Sequence, residues 1–335
     1  METIWYALLG LFFATYFVLG GYDYGVGLLL SGFRRTDERR AALTAVGPFF
    51  LGNEVWLVAA GGILVGAFPV LEGDLLTSLA PAVVPALIGV VVVTAAVQLR
   101  SRPASTVART RWDRIIVASS VLAALGWGAV LGGLLQGVPL HSDGGIGAES
   151  HLLTPFTAAC GLLLVALVGV HGAAFLALRM PPEPAERARM LGRRLVPVAL
   201  TAVAAATLIG LLSDRVRHTV QQPAAGVLLP VFLIAALLTA HTALARQRPR
   251  IAFTATVAAL AAPVLLIGAA TWPYALVSSV DPAANLTVAD AAASSPTLRL
   301  LSWLAGPLLP ALLGFQLMSW WIFRGRVDGR TTVYW

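Results

Sequence analysis

Nine mostly apolar stretches, each near the length of a membrane crossing, dominate this chain: 5–31, 43–68, 75–99, 115–135, 152–178, 195–212, 227–245, 251–272 and 298–323. A hydrocarbon core about 30 Å thick needs roughly 20 such residues per helix. The pattern therefore predicts an all-α integral membrane protein with about nine transmembrane helices. The sixth stretch is short and Ala-rich, so its ends are the least well marked. Only 12% of the 335 residues are charged, about half the share in a soluble domain. That excludes a water-soluble enzyme, a disordered chain and a secreted disulfide scaffold.

The charged residues set the expected orientation. All 23 basic residues are arginine, against 16 acids. Arg34, Arg35, Arg39 and Arg40 follow the first span, and further groups follow the third (Arg100 to Arg114), fifth (Arg179 to Arg194), seventh (Arg246, Arg248, Arg250) and ninth (Arg324, Arg326, Arg330). Only Arg215, Arg217 and Arg299 lie towards the other side, where the loops carry Glu72, Asp74, Asp143, Glu149, Asp281 and Asp290. The positive-inside rule then predicts an outside N-terminus and a cytoplasmic C-terminus. A net charge of +7 is thus topological information and implies no nucleic-acid partner. No basic residue precedes Arg34, so the first helix lacks the n-region of a cleaved signal peptide and is expected to be retained.

The chain reads as one polytopic membrane domain over 1–335. It is divisible into four-helix groups at about 1–140 and 150–272 plus a final helix at 298–323, although no sequence repeat demonstrates the division. The longest outer segments, 136–151 and 273–297, are rich in Gly, Pro, Ser, Asp and Asn and read as turns.

Two acids, Asp23 and Glu54, lie well inside predicted spans, while Asp113 falls at a helix start near the cytoplasmic surface. An isolated acid in hydrocarbon costs about 2.5–3.5 kcal/mol on insertion scales, so it marks a functional hypothesis. At about 1.5 Å rise per residue, Asp23 lies roughly 8 Å and Glu54 roughly 3 Å to the cytoplasmic side of their span centres. Antiparallel neighbours would hold them at similar depth. Each is either a proton-route or ion-pair group, or a hydrogen-bonded packing residue. Asp23 sits in Gly21-Tyr22-Asp23-Tyr24-Gly25-Val26-Gly27, whose glycines permit close helix approach. Glu54 sits in Gly52-Asn53-Glu54-Val55-Trp56-Leu57, with an amide and an indole close by. His171 is the histidine clearly within a span; a packing role outweighs a weak case for a haem or metal ligand, since no second ligand stands in register. His141, His151, His218 and His241 belong to loops or helix ends. Cys160, the single cysteine, can form no internal disulfide and reads as a small buried apolar residue.

These motifs resemble subunit II of the cytochrome bd-type quinol oxidases. The first-helix element is similar to the family's Gly-Phe-Asp-x-Gly-Val-Gly, and the second to its Gly-Asn-Gln/Glu-Val-Trp-Leu. Thr110-Arg111-Trp112, Leu134-Leu135-Gln136-Gly137-Val138-Pro139, the segment Asp281 to Val288 and Ala292-Ala293-Ser294-Ser295 follow in family order. The likeness is concentrated in 5–70 and 273–326. The chain departs where Gly20 replaces a frequent acid, where Phe50-Leu51 replaces Trp-Asp, and where Val93 stands near a usual Arg. The second-helix Asp, linked in the family to proton delivery, therefore has no counterpart.

The resemblance implies a non-haem-binding subunit of a quinol:oxygen oxidoreductase in the bacterial plasma membrane. It implies haems b and d in a partner subunit I, which this chain supports while lining part of a cytoplasmic proton route. Small single-helix subunits, membrane lipid and quinol would be further partners, and a quinone or lipid bound within this chain stays open. A proton-coupled small-molecule transporter is the main alternative; it would show interrupted helices and inverted symmetry. A structural paralogue without a proton route is the other.

Overall fold

The computed structural model describes residues 1–102, 105–141 and 152–327. Asp143, Glu149, His151 and Arg330 lie outside the described residues. Its long helices are α1 (Glu2–Leu29), α2 (Thr36–Ala67), α4 (Ala80–Leu99), α5 (Thr106–Gln136), α6 (Pro155–Arg179), α7 (Pro182–Leu212), α9 (Pro223–Ala245), α10 (Pro249–Thr271) and α12 (Ser295–Ile322). Between them lie short helices α3 (Pro69–Ser78), α8 (Asp214–Thr219) and α11 (Val288–Ala291), and strands β1 (Tyr274–Leu276) and β2 (Leu286–Thr287). Among the described residues, nine helices are long and apolar enough to cross a membrane, as the hydrophobic runs predict.

Local chemistry explains where the helices start. The Glu38 carboxylate accepts from the backbone N–H groups of Arg34 and Arg35, both at 3.1 Å, and holds the first turn of α2. Ser105 accepts from Ala108 N–H at 3.1 Å to cap α5, and Thr154 accepts from Thr157 N–H at 3.2 Å to cap α6. Such caps satisfy donors that have no partner within the helix.

Three expectations change. The third span begins at Ala80, because 75–78 belong to the separate helix α3, which carries Glu72 and Asp74. The chain bends at Leu79, and Pro81 then occupies the first turn of α4, where its missing N–H costs nothing. The sixth span is the 31-residue α7; its first half is charged, so the apolar run marks only its second half. The segment 273–297 is also more ordered than a series of turns. β1 and β2 pair antiparallel, and Val138 exchanges backbone hydrogen bonds with Val277 (3.0 Å) and Ser279 (2.8 Å). Ala293 N–H reaches Ala67 O at the end of α2, at 2.8 Å.

Helix α6 lies at the centre, with 78% of its apolar stretch buried, against 6% for α12 at the edge. Glycine sets the closest approach. A Cβ on Gly25 would drive into the Val168 carbonyl oxygen, and one on Gly172 into the Gly25 backbone, so α1 and α6 cross backbone to backbone.

Candidate functional site

The first-helix motif turns its side chains to different neighbours. Gly21 faces Leu260 of α10, Gly25 meets α6, and Gly27 lies against Ser120 of α5. Asp23 lies between these contacts, 5% exposed. Asn53, fully buried on α2, points its Nδ2 at Asp23 Oδ2 (2.8 Å), at the Tyr22 hydroxyl (2.7 Å) and at Leu19 O (3.2 Å). Asp23 Oδ1 and Asn53 Oδ1 have no hydrogen-bond partner in the structure. The Asp23 carboxyl is therefore held on one side by an amide and has spare hydrogen-bonding capacity on the other.

The two tyrosines beside Asp23 differ in role. Tyr22 is fully buried and stacks on Phe175 at 4.3 Å between centroids. Tyr24 turns away from the acid, its hydroxyl 2.5 Å from that of Tyr16, which also receives the Trp127 indole N–H at 3.0 Å. The tyrosines thus brace α1 against its neighbours.

Because Asn53 touches Asp23, the adjacent Glu54 stands at the same level, as the depth comparison predicts. One residue of helical rotation, about 100°, sends it to another partner: Thr94 of α4 hydrogen-bonds Glu54 Oε1. The two carboxyls are level but belong to separate hydrogen-bond networks. Trp56 packs on Phe12 at 5.2 Å and donates to Gln316 Oε1 of α12 at 3.2 Å.

His171 is fully enclosed and both ring nitrogens are engaged. Nε2 donates to Val18 O at 3.0 Å, and Nδ1 lies 2.7 Å from the Thr256 hydroxyl. This is a hydrogen-bonded packing histidine joining α1, α6 and α10, and it leaves no nitrogen for a haem iron or metal. Cys160 is half-buried rather than enclosed, its side chain packed near Gly132 of α5. At the departures from the resembled family, Phe50 is buried but Leu51 is 57% exposed on the outer face of α2.

Two features escaped sequence reasoning. Asp113 is a buried ion-pair centre in the second turn of α5: Arg100 engages both of its oxygens, and Arg39 Nη1 reaches Oδ2 at 3.1 Å. The acid at a helix start and the arginines of adjoining loops were the available signal. The second is a mostly apolar cavity of about 810 Å³ between α1, α2, α5, α10 and the 273–297 segment, with Tyr6, Phe13, Leu57, Trp127, Leu134 and Trp272 in its wall.

Comparisons with known proteins agree on one family. The chain is 31% identical over 212 residues to cytochrome bd-I ubiquinol oxidase subunit 2 of Escherichia coli K12, covering 62% of this chain and 56% of that relative. It is 28% identical over 207 residues to cytochrome bd ubiquinol oxidase subunit 2 of Bacillus subtilis 168, covering 61% of each. The aligned stretch thus spans little more than half the length of these relatives. In fold it resembles a chain of the bd oxidase from Geobacillus thermodenitrificans, with a TM-score of 0.73 and 18% identity over 96% of this chain and 98% of that one. Nothing in these matches favours the transporter alternative. The profile of cytochrome bd terminal oxidase subunit II matches residues 1–323, and the chain belongs to that family.

Proposed function

We propose that this chain is the non-haem-binding subunit II of a bd-type oxidase, a complex that oxidises membrane quinol and reduces dioxygen to water. The near whole-length family match carries this reading. Haems b and d belong to a partner subunit I, as the family resemblance implies. His171, with both ring nitrogens hydrogen-bonded, does not fit an axial haem ligand. The complex sits in the bacterial plasma membrane with the arginine-rich helix ends in the cytoplasm, which the arginine distribution supports. Small single-helix subunits and membrane lipid complete its surroundings. Within the single domain, α1, α2, α4 and α5 form one four-helix group and α6, α7, α9 and α10 the other, with α12 outside both.

Asp23 and Glu54 line part of a cytoplasmic proton route. Asp23 is held by the neutral Asn53 amide, with no arginine in its hydrogen-bond network, and it keeps one unpartnered oxygen. Such a carboxyl can take up and release a proton without breaking an ion pair. Gly21, Tyr22, Tyr24, Gly25, Gly27, Asn53 and Trp56 position it. The apolar cavity at the opposite end is of a size and character to take a quinone or lipid tail.

Purification from native membranes tests the reading. A haem-bearing partner and quinol-dependent oxygen consumption are expected, and a solitary haem-free chain would overturn it. In the assembled complex, Asp23→Asn should slow oxygen consumption and leave the haem spectrum unchanged. Unaltered turnover would remove the proton-route role, and lost haem would point to assembly instead.

A further inference from the structure

At the arginine-rich ends of α6, α10 and α12, a cavity of about 610 Å³ is walled by Arg179, Arg248, Arg250, Arg324, Arg326 and Trp320. Among the described residues no acid lines it. Arg179 is 4% exposed, yet its Nε and Nη1 are buried without hydrogen-bond partners, and its guanidinium lies 5.4 Å above the Phe49 ring. A buried donor left unpaired is costly, more so when charged, so this group calls for an acceptor. The other four arginines make no ion pair among the described residues. Pro249, Arg250 and Ile251, at the N-terminus of the 23-residue α10, line the same cavity, and a helix start adds positive potential. Val327 N–H donates to Arg179 O at 2.8 Å, which ties the chain beyond α12 to the end of α6.

We propose that this cavity binds a phosphate-ester anion, and that its ligand is the headgroup of an acidic phospholipid. Guanidinium forks match phosphate oxygens geometrically. Leu178, Ile251 and Trp320 supply an apolar side to the same cavity, suited to the junction between headgroup and acyl chain. Basic pockets between transmembrane helices near a membrane surface recognise acidic lipid in this way. A second basic pocket, lined by Thr36, Arg40, Arg100 and Arg109, is different because Asp113 already neutralises its buried Arg100. The site is independent of whether the complex consumes oxygen.

Native mass spectrometry of the detergent-purified assembly tests this, with phosphatidylglycerol, phosphatidylcholine and inorganic phosphate as probes. The assembly should retain phosphatidylglycerol in preference to phosphatidylcholine. Arg248→Ala with Arg324→Ala, both at exposed positions, should weaken retention about 25-fold, at roughly fivefold per arginine. Arg179→Gln should weaken it as well; if that variant does not assemble, the double variant decides. Competition by inorganic phosphate would assign the ligand to solution, and its absence would assign it to the membrane. Equal retention of both lipids without phosphate competition, or retention of phosphatidylglycerol by the double variant at the unmodified level, would overturn the site.

Discussion

Asp23 and Asp113 are the same residue with nearly the same burial, at 5% and 6% exposure, but their surroundings are opposite. Asp113 is gripped by Arg100, at the C-terminal end of α4, and by Arg39 of α2. It joins three helices at the arginine-rich end. Asp23 receives only the Asn53 amide and keeps an unpartnered oxygen. Burial alone therefore does not distinguish the two sites; the charge of their partners does.

The comparison can be broken most severely from the Asp113 side. Asp113→Ala leaves Arg100 buried without its counter-charge, and the assembly should lose about 3–5 kcal/mol of stability, read by denaturation in detergent. Replacing the pair together, Arg100→Met with Asp113→Leu, should recover most of that loss. A double variant as unstable as the single one would show that the pair is more than charge balance. Next in size is Gly25→Val, where a side chain must enter the backbone of α6; a cost of about 1–3 kcal/mol is expected from overpacking, seen as reduced yield of the folded assembly. Asp23→Asn comes third. It should leave the melting temperature nearly unchanged and lower quinol-dependent turnover about tenfold, a barrier change of about 1.4 kcal/mol. Equal effects on stability from Asp23→Asn and Asp113→Asn would erase the distinction drawn between the two sites. Smallest is Trp56→Phe, which removes the hydrogen bond to Gln316 but keeps a ring against Phe12; about 0.5–1.5 kcal/mol is expected, measured as a shift in thermal unfolding.

The membrane crossings were legible because hydrocarbon imposes a length and an apolar character on each span. What escaped lay outside that constraint. The charged starts of α5 and α7 extend beyond the apolar runs, where capping and local hydrogen bonds decide the ends. The last turn of α3, residues 75–78, reads as part of the third span because Leu75 and Leu76 prolong the apolar pattern across the bend. The backbone hydrogen bonds of Val138 with Val277 and Ser279 join residues far apart in the chain, which composition does not encode. At the site, residue type singled out Asp23 and Glu54, and helix rise placed them level. Their partners needed the rotation of α2 about its axis: Asn53 turns to α1 and Glu54 to α4. Arg179 looked like one more marker of membrane orientation, and only the folded structure shows it as a buried cation over the Phe49 ring of α2.

The dependence of α1 on its neighbours also bears on how the chain is made. Helix α1 leaves the ribosome before α10, yet Gly21 and His171 complete their packing with α10 residues Leu260 and Thr256. The Trp5 and Trp56 indoles find acceptors only in α12, at Ser302 and Gln316. During synthesis the Asp23 region must therefore wait in the membrane, incompletely enclosed, until nearly the whole chain has been inserted. A chain cut short before α10 would leave those groups without the partners that complete their packing and hydrogen bonds.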